Sequence, residues 1–370
     1  MTRAAAFLPF VFLAFLSWGN YGPLMHHGNL AMGDALRPFV GVGFAYFLIA
    51  VVVPFLMLRV SGEKGAWSRD GITFSLVAGA VGALGALGVI VAFSVGAKPV
   101  YVMPLVFGGA PVVNTLVTMA MGKNFEKIRP IFLAGILMAA VGGAGVLFFR
   151  PGPAPAAATA TVAAKLASAT PVAVSTPAAA SSPAAASTEV NFPIAIAAII
   201  GAILSWGSYG PMLHKGQMKM GGSRLRPFLC VGIAYFFIAV AMPMIALAFI
   251  PTNGAWTQAG LLWSLAGGAA GALGALGIIY AFNFGGKPIF VMPLIFGLAP
   301  IMNTITTLTE NGSWGRIDAK FVAALLITIA GAVTVLVTAP KQAAKPAGSP
   351  GSENATVPGL NTPASKLAST

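Results

Sequence analysis

Charge is scarce in this chain. Only 8% of its 370 residues are Asp, Glu, Lys or Arg, whereas 57% are hydrophobic, and the mean hydropathy is +0.87. A soluble domain carries about 25% charged residues to keep its surface wet. This composition excludes a water-exposed globule and places the chain in a lipid bilayer. Cysteine is nearly absent: the single Cys230 rules out an intrachain disulfide and a Cys/His metal cluster. The three histidines, His26, His27 and His214, read as loop residues, and no metal or cofactor is expected. No Walker A loop, HExxH or GxSxG occurs, so neither an enzyme nor ATP-driven pumping is expected. The net charge of +13 does not point to nucleic acid. Its basic residues fall between apolar runs, as in the cytoplasmic loops of membrane proteins.

What the chain does have is a second copy of itself. Residues 79–115 and 268–304 align without a gap and are identical at 25 of 37 positions. Upstream, SWGNYGPLMHHG at 17–28 recurs as SWGSYGPMLHKG at 205–216. The offset is 188 residues there and 189 beyond the Arg37/Arg226 region, after one inserted residue. Each half holds five apolar segments: 4–20, 38–58, 71–95, 99–120 and 130–149, then 190–207, 227–250, 259–284, 288–309 and 321–338. Their lengths are close to the ~20 residues that span a hydrocarbon core. The N-terminal run looks like a signal peptide, but its internal copy argues for a retained helix. The expected fold is therefore an all-α integral membrane protein of ten transmembrane helices, arranged as two inverted five-helix repeats. Residues 1–150 and 191–340 are the repeats. Residues 151–190 and 341–370, rich in Ala, Pro, Ser and Thr, read as a disordered linker and tail.

Five helices per repeat is an odd number, so the second repeat should enter the membrane upside down. With the N-terminus cytoplasmic, 15 of the 21 Lys and Arg residues lie inside. Equivalent loops differ in the same sense. The loop HHGNLAMGDALR has one Arg, whereas its copy carries Lys215, Lys219, Arg224 and Arg226. Both termini are expected in the cytoplasm, the linker outside, and the chain in a bacterial cytoplasmic membrane. Its partners are then the bilayer and a small-molecule substrate, with oligomeric state open.

Several features bear on a site. The fourth and ninth helices each carry two prolines, Pro104 with Pro111 and Pro293 with Pro300. Each proline deprives the carbonyl four residues earlier of its donor, so these are expected helix breaks that line a cavity or act in gating. Asn114-Thr115 and Asn303-Thr304 follow one turn later, and the alternative there is a kinked helix with a structural Asn. Trp18, Asn20 and Tyr21, with Trp206, Ser208 and Tyr209, close the first helix of each half. They are either belt anchors at the interface or an aromatic platform at a cavity mouth. A glycine ladder at 79, 82, 85 and 88, copied at 268, 271, 274 and 277, is chiefly a packing device. Asn283 beyond the ladder could face a ligand. Lys98 and Lys287 sit in Gly-Lys-Pro hairpins, as interfacial turn residues or anion binders. None of the eight acidic residues falls mid-span, which favours facilitated transport or exchange over a carboxylate proton relay.

With these motifs in place, the chain resembles the drug/metabolite transporter superfamily, over about 4–150 and 190–338. The resemblance rests on the five-plus-five layout, the Trp-Gly pairs at 18–19 and 206–207, the Gly-rich third and the Pro-bearing fourth helices. The Trp-Gly pairs look like those of EamA-type permeases and of the glucose and rhamnose uptake branch. The resemblance implies alternating access around a cavity lined by helices one, three and four of each half. It implies a permease for a small polar metabolite, with sugars a candidate class. The alternatives are an exporter of lipophilic or cationic compounds, or a non-transporting sensor or scaffold.

Overall fold

A computed structural model describes residues 6–95, 97, 99–122, 129–149, 151 and 191–338. Lys98, the linker from 152 to 190 and the tail from 339 lie outside the described residues. Among the described residues the regular structure is entirely helical. The long elements are α1 (Leu8–Met32), α2 (Leu36–Val60), α3 (Arg69–Ser94), α4 (Pro99–Gly122), α5 (Pro130–Phe148), α6 (Phe192–Lys219), α7 (Leu225–Phe249), α8 (Gln258–Asn283), α9 (Pro288–Glu310) and α10 (Ala319–Thr338). Nine of them are long and apolar enough to cross a membrane, and the protein is an all-helical membrane protein. The exception is α1. Its length of 25 residues suffices, but its apolar run LPFVFLAFL is followed by SWGNYGPLMHHGN.

Two boundaries differ from the sequence expectation, for one reason. SWGNYGP and SWGSYGP do not end α1 and α6, because both helices continue through Pro23 and Pro211 to Met32 and Lys219. Proline fixes φ at a helical value, so its missing N–H need not stop a helix whose neighbours stay packed. His26, His27 and His214 are consequently helical rather than in loops. For the same reason α4 and α9 run unbroken through Pro104, Pro111, Pro293 and Pro300. The expected helix breaks are instead helix-interior prolines.

Proline acts more visibly in α2 and α7. Each contains a π-helical stretch, Phe47–Val52 and Phe237–Ala241, just ahead of Pro54 and Pro243. Val53 N–H bonds to Leu48 C=O and Met242 N–H to Phe237 C=O, one residue wider than an α turn. The widening follows from the donor that each proline withholds from Ala50 and Ala239. Tyr46 and Tyr235 lie within two residues ahead of these stretches.

The halves interleave. The most extensive contacts pair α3 with α6, α1 with α8, and α5 with α10. The first helix of each half therefore lies on the third helix of the other. α1 and α9 run in the same direction, with Phe7 on Phe290 at one end and His27 3.3 Å from Glu310 at the other. α4 runs along α6 likewise, with Gly109 against Ile203 and Gly207 against Val113. Asn114, late in α4, donates to the carbonyl of Pro288 at the start of α9, so those two helices are antiparallel.

The loop after α2 closes onto the α6–α7 corner. There the Glu63 side chain is only 7% exposed and accepts from Ser223 Oγ (2.7 Å) and from the Arg224 amide (2.8 Å). Burial alone would raise its pKa. The hydrogen bonds from Ser223, Arg224 and Leu225 outweigh burial and hold the carboxyl below its usual value. The stability it contributes is therefore complete above the ordinary carboxylate pKa of about 4.3 and is lost as pH falls through the depressed native value. Thermal unfolding in detergent from pH 7 to pH 3 should show it. Glu63→Gln is expected to melt a few degrees lower at neutral pH and to lose less on acidification than the parent. Parallel pH profiles would contradict the assignment.

Candidate functional site

A cavity of about 60 Å³ lies where α1, α3, α4 and α2 meet their counterparts α6, α8, α9 and α7. Its lining is Trp18, Tyr21, Tyr46, Gly82 and Phe107, with Trp206, Tyr209, Tyr235, Gly271 and Phe296. These are five residues and their five repeat copies, at offsets of 188 or 189. Every lining residue thus has its duplicate in the same lining. Eight of the ten are aromatic, and four of the chain's six tyrosines are here. Among the described residues, no charged side chain lines the cavity.

The aromatic groups are held by their neighbours. Trp18 Nε1 donates to Gly271 O (3.1 Å) and Trp206 Nε1 to Gly82 O (3.0 Å), the same bond made twice. The indoles lie against Gly274 and Gly85, where an alanine Cβ would overlap Cδ1 and Nε1 of the ring. Gly271 and Gly82 give room to Tyr46 and to the Tyr209 and Tyr235 pair. The outer rungs, Gly79, Gly88, Gly268 and Gly277, meet the backbone of packed helices. The ladder is thus a packing device, as expected, whose middle rungs seat the cavity aromatics. At one boundary Tyr46 and Tyr235 stack face to face, centroids 3.8 Å apart and planes within 1°. At another Phe107 meets Phe296 at 6.1 Å and 69°. Trp18 bridges Tyr209 (5.9 Å) and Phe296 (5.8 Å).

The structure brings Trp18, Tyr21, Trp206 and Tyr209 together and places the other sequence candidates elsewhere. Asn20 turns to α9, donating to Leu16 O (2.8 Å) and accepting from Thr306 Oγ1 (2.6 Å). Ser208 donates to Leu204 O within its own helix. Asn114 is fully buried and ties α4 to Pro288 O at 2.9 Å. Thr115 donates to Pro111 O (2.9 Å). Asn303 is half-buried over Gly22 of α1, and Thr304 is buried beside it. Asn283 is exposed and donates to Gly222 O (2.8 Å), closing the α6–α7 turn. Lys287 occupies the position just before α9 and its side chain makes no capping bond there.

Sequence reasoning missed Tyr46 and Tyr235 as site residues. The signal was the retained string RPF–VG–AYF–IAV–P of 37–54 and 226–243, in which tyrosine is the one phenol. Phe107 and Phe296 lie four residues before Pro111 and Pro300, where the sequence expectation concerns only the freed carbonyl, and Gly82 and Gly271 read from sequence only as packing residues.

Chemically, the cavity presents ring faces and phenol hydroxyls. Both indole N–H groups are spent on backbone carbonyls, whereas Tyr209 OH is buried without a protein partner. Such a box attracts cations and apolar groups through the negative ring faces, by about 0.5–2 kcal/mol per well-placed ring. Its volume is below the ~300 Å³ of a typical ligand pocket, so a larger guest requires the walls to part.

No protein family matches the chain, and no curated protein matches it. A solved structure described as "Crystal structure of protein" shares the fold, with a TM-score of 0.60 at 15% identity, over 91% of this chain and 98% of that one.

Proposed function

We propose that this protein is a secondary transporter that works by alternating access, with the substrate held in the aromatic cavity between two inverted five-helix repeats. The observation that carries this is the lining itself, five residues and their five duplicates. A site on the pseudo-twofold axis is equally related to both halves, as rocking of one half against the other requires. The parallel runs of α1 with α9 and of α4 with α6, with α4 antiparallel to α9, support the inversion. The basic loops support an orientation with both termini cytoplasmic, in a bacterial inner membrane. This reading keeps the chain within the drug/metabolite transporter superfamily and outside the enzymes.

For substrate class, the lining favours the exporter reading over the sugar reading. It offers no Asn, Gln, Asp or Glu to bond a polyol, and its indole donors are occupied. A compact organic cation is the best fit. The unpartnered Tyr209 hydroxyl keeps a polar metabolite as the second reading. Equilibrium binding to the purified protein separates them. Tetramethylammonium is expected to bind and to compete with other organic cations. Trp18→Ala/Trp206→Ala should weaken binding at least tenfold. Binding of glucose or rhamnose that tetramethylammonium fails to displace would overturn the cation assignment in favour of the metabolite.

A further inference from the structure

Each end of the bundle carries the same clamp between halves. At the end of α6, Ala66 N–H bonds to Met220 O (3.3 Å) and Ser68 Oγ donates to Lys219 O (2.8 Å). At the end of α1, Ala255 N–H bonds to Met32 O (2.8 Å) and Thr257 Oγ1 donates to Ala31 O (3.0 Å). The two contacts of one clamp are the repeat copies of the two contacts of the other. Beside each lies an arginine, Arg226 or Arg37, at equivalent positions and 14% exposed. The residues around the arginines are equivalent too, Ser223 with Asp34 and Glu63 with Thr252.

The carboxylate has changed places. In the first clamp it is on the loop: Glu63 belongs to one half, while its partners Ser223, Arg224 and Arg226 belong to the other. The charge pairing crosses the interface there, reinforced by Lys219 with Asp70 (3.2 Å). In the second clamp Asp34 and Arg37 are ion-paired within one half, three residues apart. The Thr252 hydroxyl reaches across to this pair, accepting from Arg37 Nη1 at 2.7 Å and donating to Asp34 at 3.4 Å, without adding a charge from the other half. Parting the first clamp separates Glu63 from Arg226, whose side chains are largely out of water, whereas parting the second leaves its ion pair whole. Hydrogen bonds to charged groups contribute more than neutral ones, and breaking a shielded pair leaves both charges unpaired.

Resting on the alternating-access reading above, we propose that this exchange of one carboxylate between repeat-equivalent positions sets the resting bias of the transporter. The end closed by Thr252 opens more readily than the end closed by Glu63. Two gates built on repeat-equivalent clamps thereby become unequal without any difference in the cavity walls.

The test exchanges the clamps in the full-length protein. Glu63→Thr/Ser223→Asp copies the second clamp onto the first, and Asp34→Ser/Thr252→Glu does the reverse. A single reporter cysteine at Phe107, in a Cys230→Ala background, is labelled in oriented proteoliposomes by an impermeant maleimide added to one side or the other. The parent is expected to label at least fivefold faster from the Thr252 end. Each double variant should bring the two rates together, and the quadruple variant should reverse their order. If the quadruple variant does not fold, the two double variants decide. Labelling from either side at a ratio that no clamp variant changes would overturn the bias while leaving alternating access standing. Labelling from neither side, or from one side only in every variant, would overturn both.

Discussion

Alanine at Gly85 and Gly274 is expected to abolish ligand binding in a protein that still folds. At each position the new methyl would occupy the seat of an indole ring, Trp206 at 85 and Trp18 at 274. The clash is with a side chain rather than backbone, so the helices need not move. The ring must move, however. It loses its Nε1 bond to Gly82 O or Gly271 O, of the order of 1 kcal/mol, and has a cavity of only about 60 Å³ to enter. A displaced indole fills the space a ligand needs. Binding of tetramethylammonium should weaken at least tenfold in either single variant and become undetectable in the double variant, with a melting temperature only modestly lower. Unchanged affinity in the folded double variant would show that the indoles do not shape the site.

The largest stability effect is expected far from the cavity, at Gly331→Ala. Here α10 meets α5 backbone to backbone. An added Cβ would fall 2.8 Å from Ala139 Cα and closer still to its amide nitrogen. Gly142 makes the reciprocal approach, with Thr328 Cα 2.8 Å from its would-be Cβ. No rotamer change relieves such a clash. Overpacking of this kind costs about 1–3 kcal/mol, and more where a backbone is the obstacle. Gly201→Ala is the matched control. It too is helical, but nothing lies within 4 Å of its added methyl. It should be neutral or stabilising, by up to about 1 kcal/mol of helix propensity. Thermal unfolding of both variants in the same detergent makes the comparison. Equal melting temperatures would refute a close-packed α5–α10 seam.

The two predictions trace what the sequence could and could not reveal. Nine apolar spans were legible because hydropathy reports the solvent directly, and for all but α6 the boundaries matched to within a few residues. The ends of α1 and α6 were not, because SWGNYGP and SWGSYGP combine glycine, proline and polar residues that signal a turn in water. In a packed membrane helix, Gly19 and Gly207 mark close approach to α9 and α4 instead. The cavity was half legible. Trp18, Tyr21, Trp206 and Tyr209 stood out as conspicuous aromatic residues in a repeated motif. Asn114 and Asn303 stood out as polar residues in an apolar setting, yet one of them ties two helices together and the other packs over a glycine. Polar character marks a residue that needs a partner and does not say whether the partner is a ligand or a carbonyl. Tyr46 and Tyr235 were hidden for the opposite reason, since a tyrosine in an apolar run looks like core. The exchanged carboxylate was visible in the two aligned halves as Asp34/Ser223 and Glu63/Thr252. Its meaning needed the fold, which sets residues 63 and 223 against each other.

The proposed transport function rests on the aromatic cavity as the binding site. The most direct measurement is a structure of the protein with tetramethylarsonium, a compact cation whose arsenic is located by anomalous scattering. The account predicts a single arsenic peak enclosed by Trp18, Trp206, Tyr46 and Tyr235, lost in Trp18→Ala/Trp206→Ala. A peak outside these rings, for instance in the apolar groove of Val40, Met244 and Trp256 on the α2–α7 face, would contradict it.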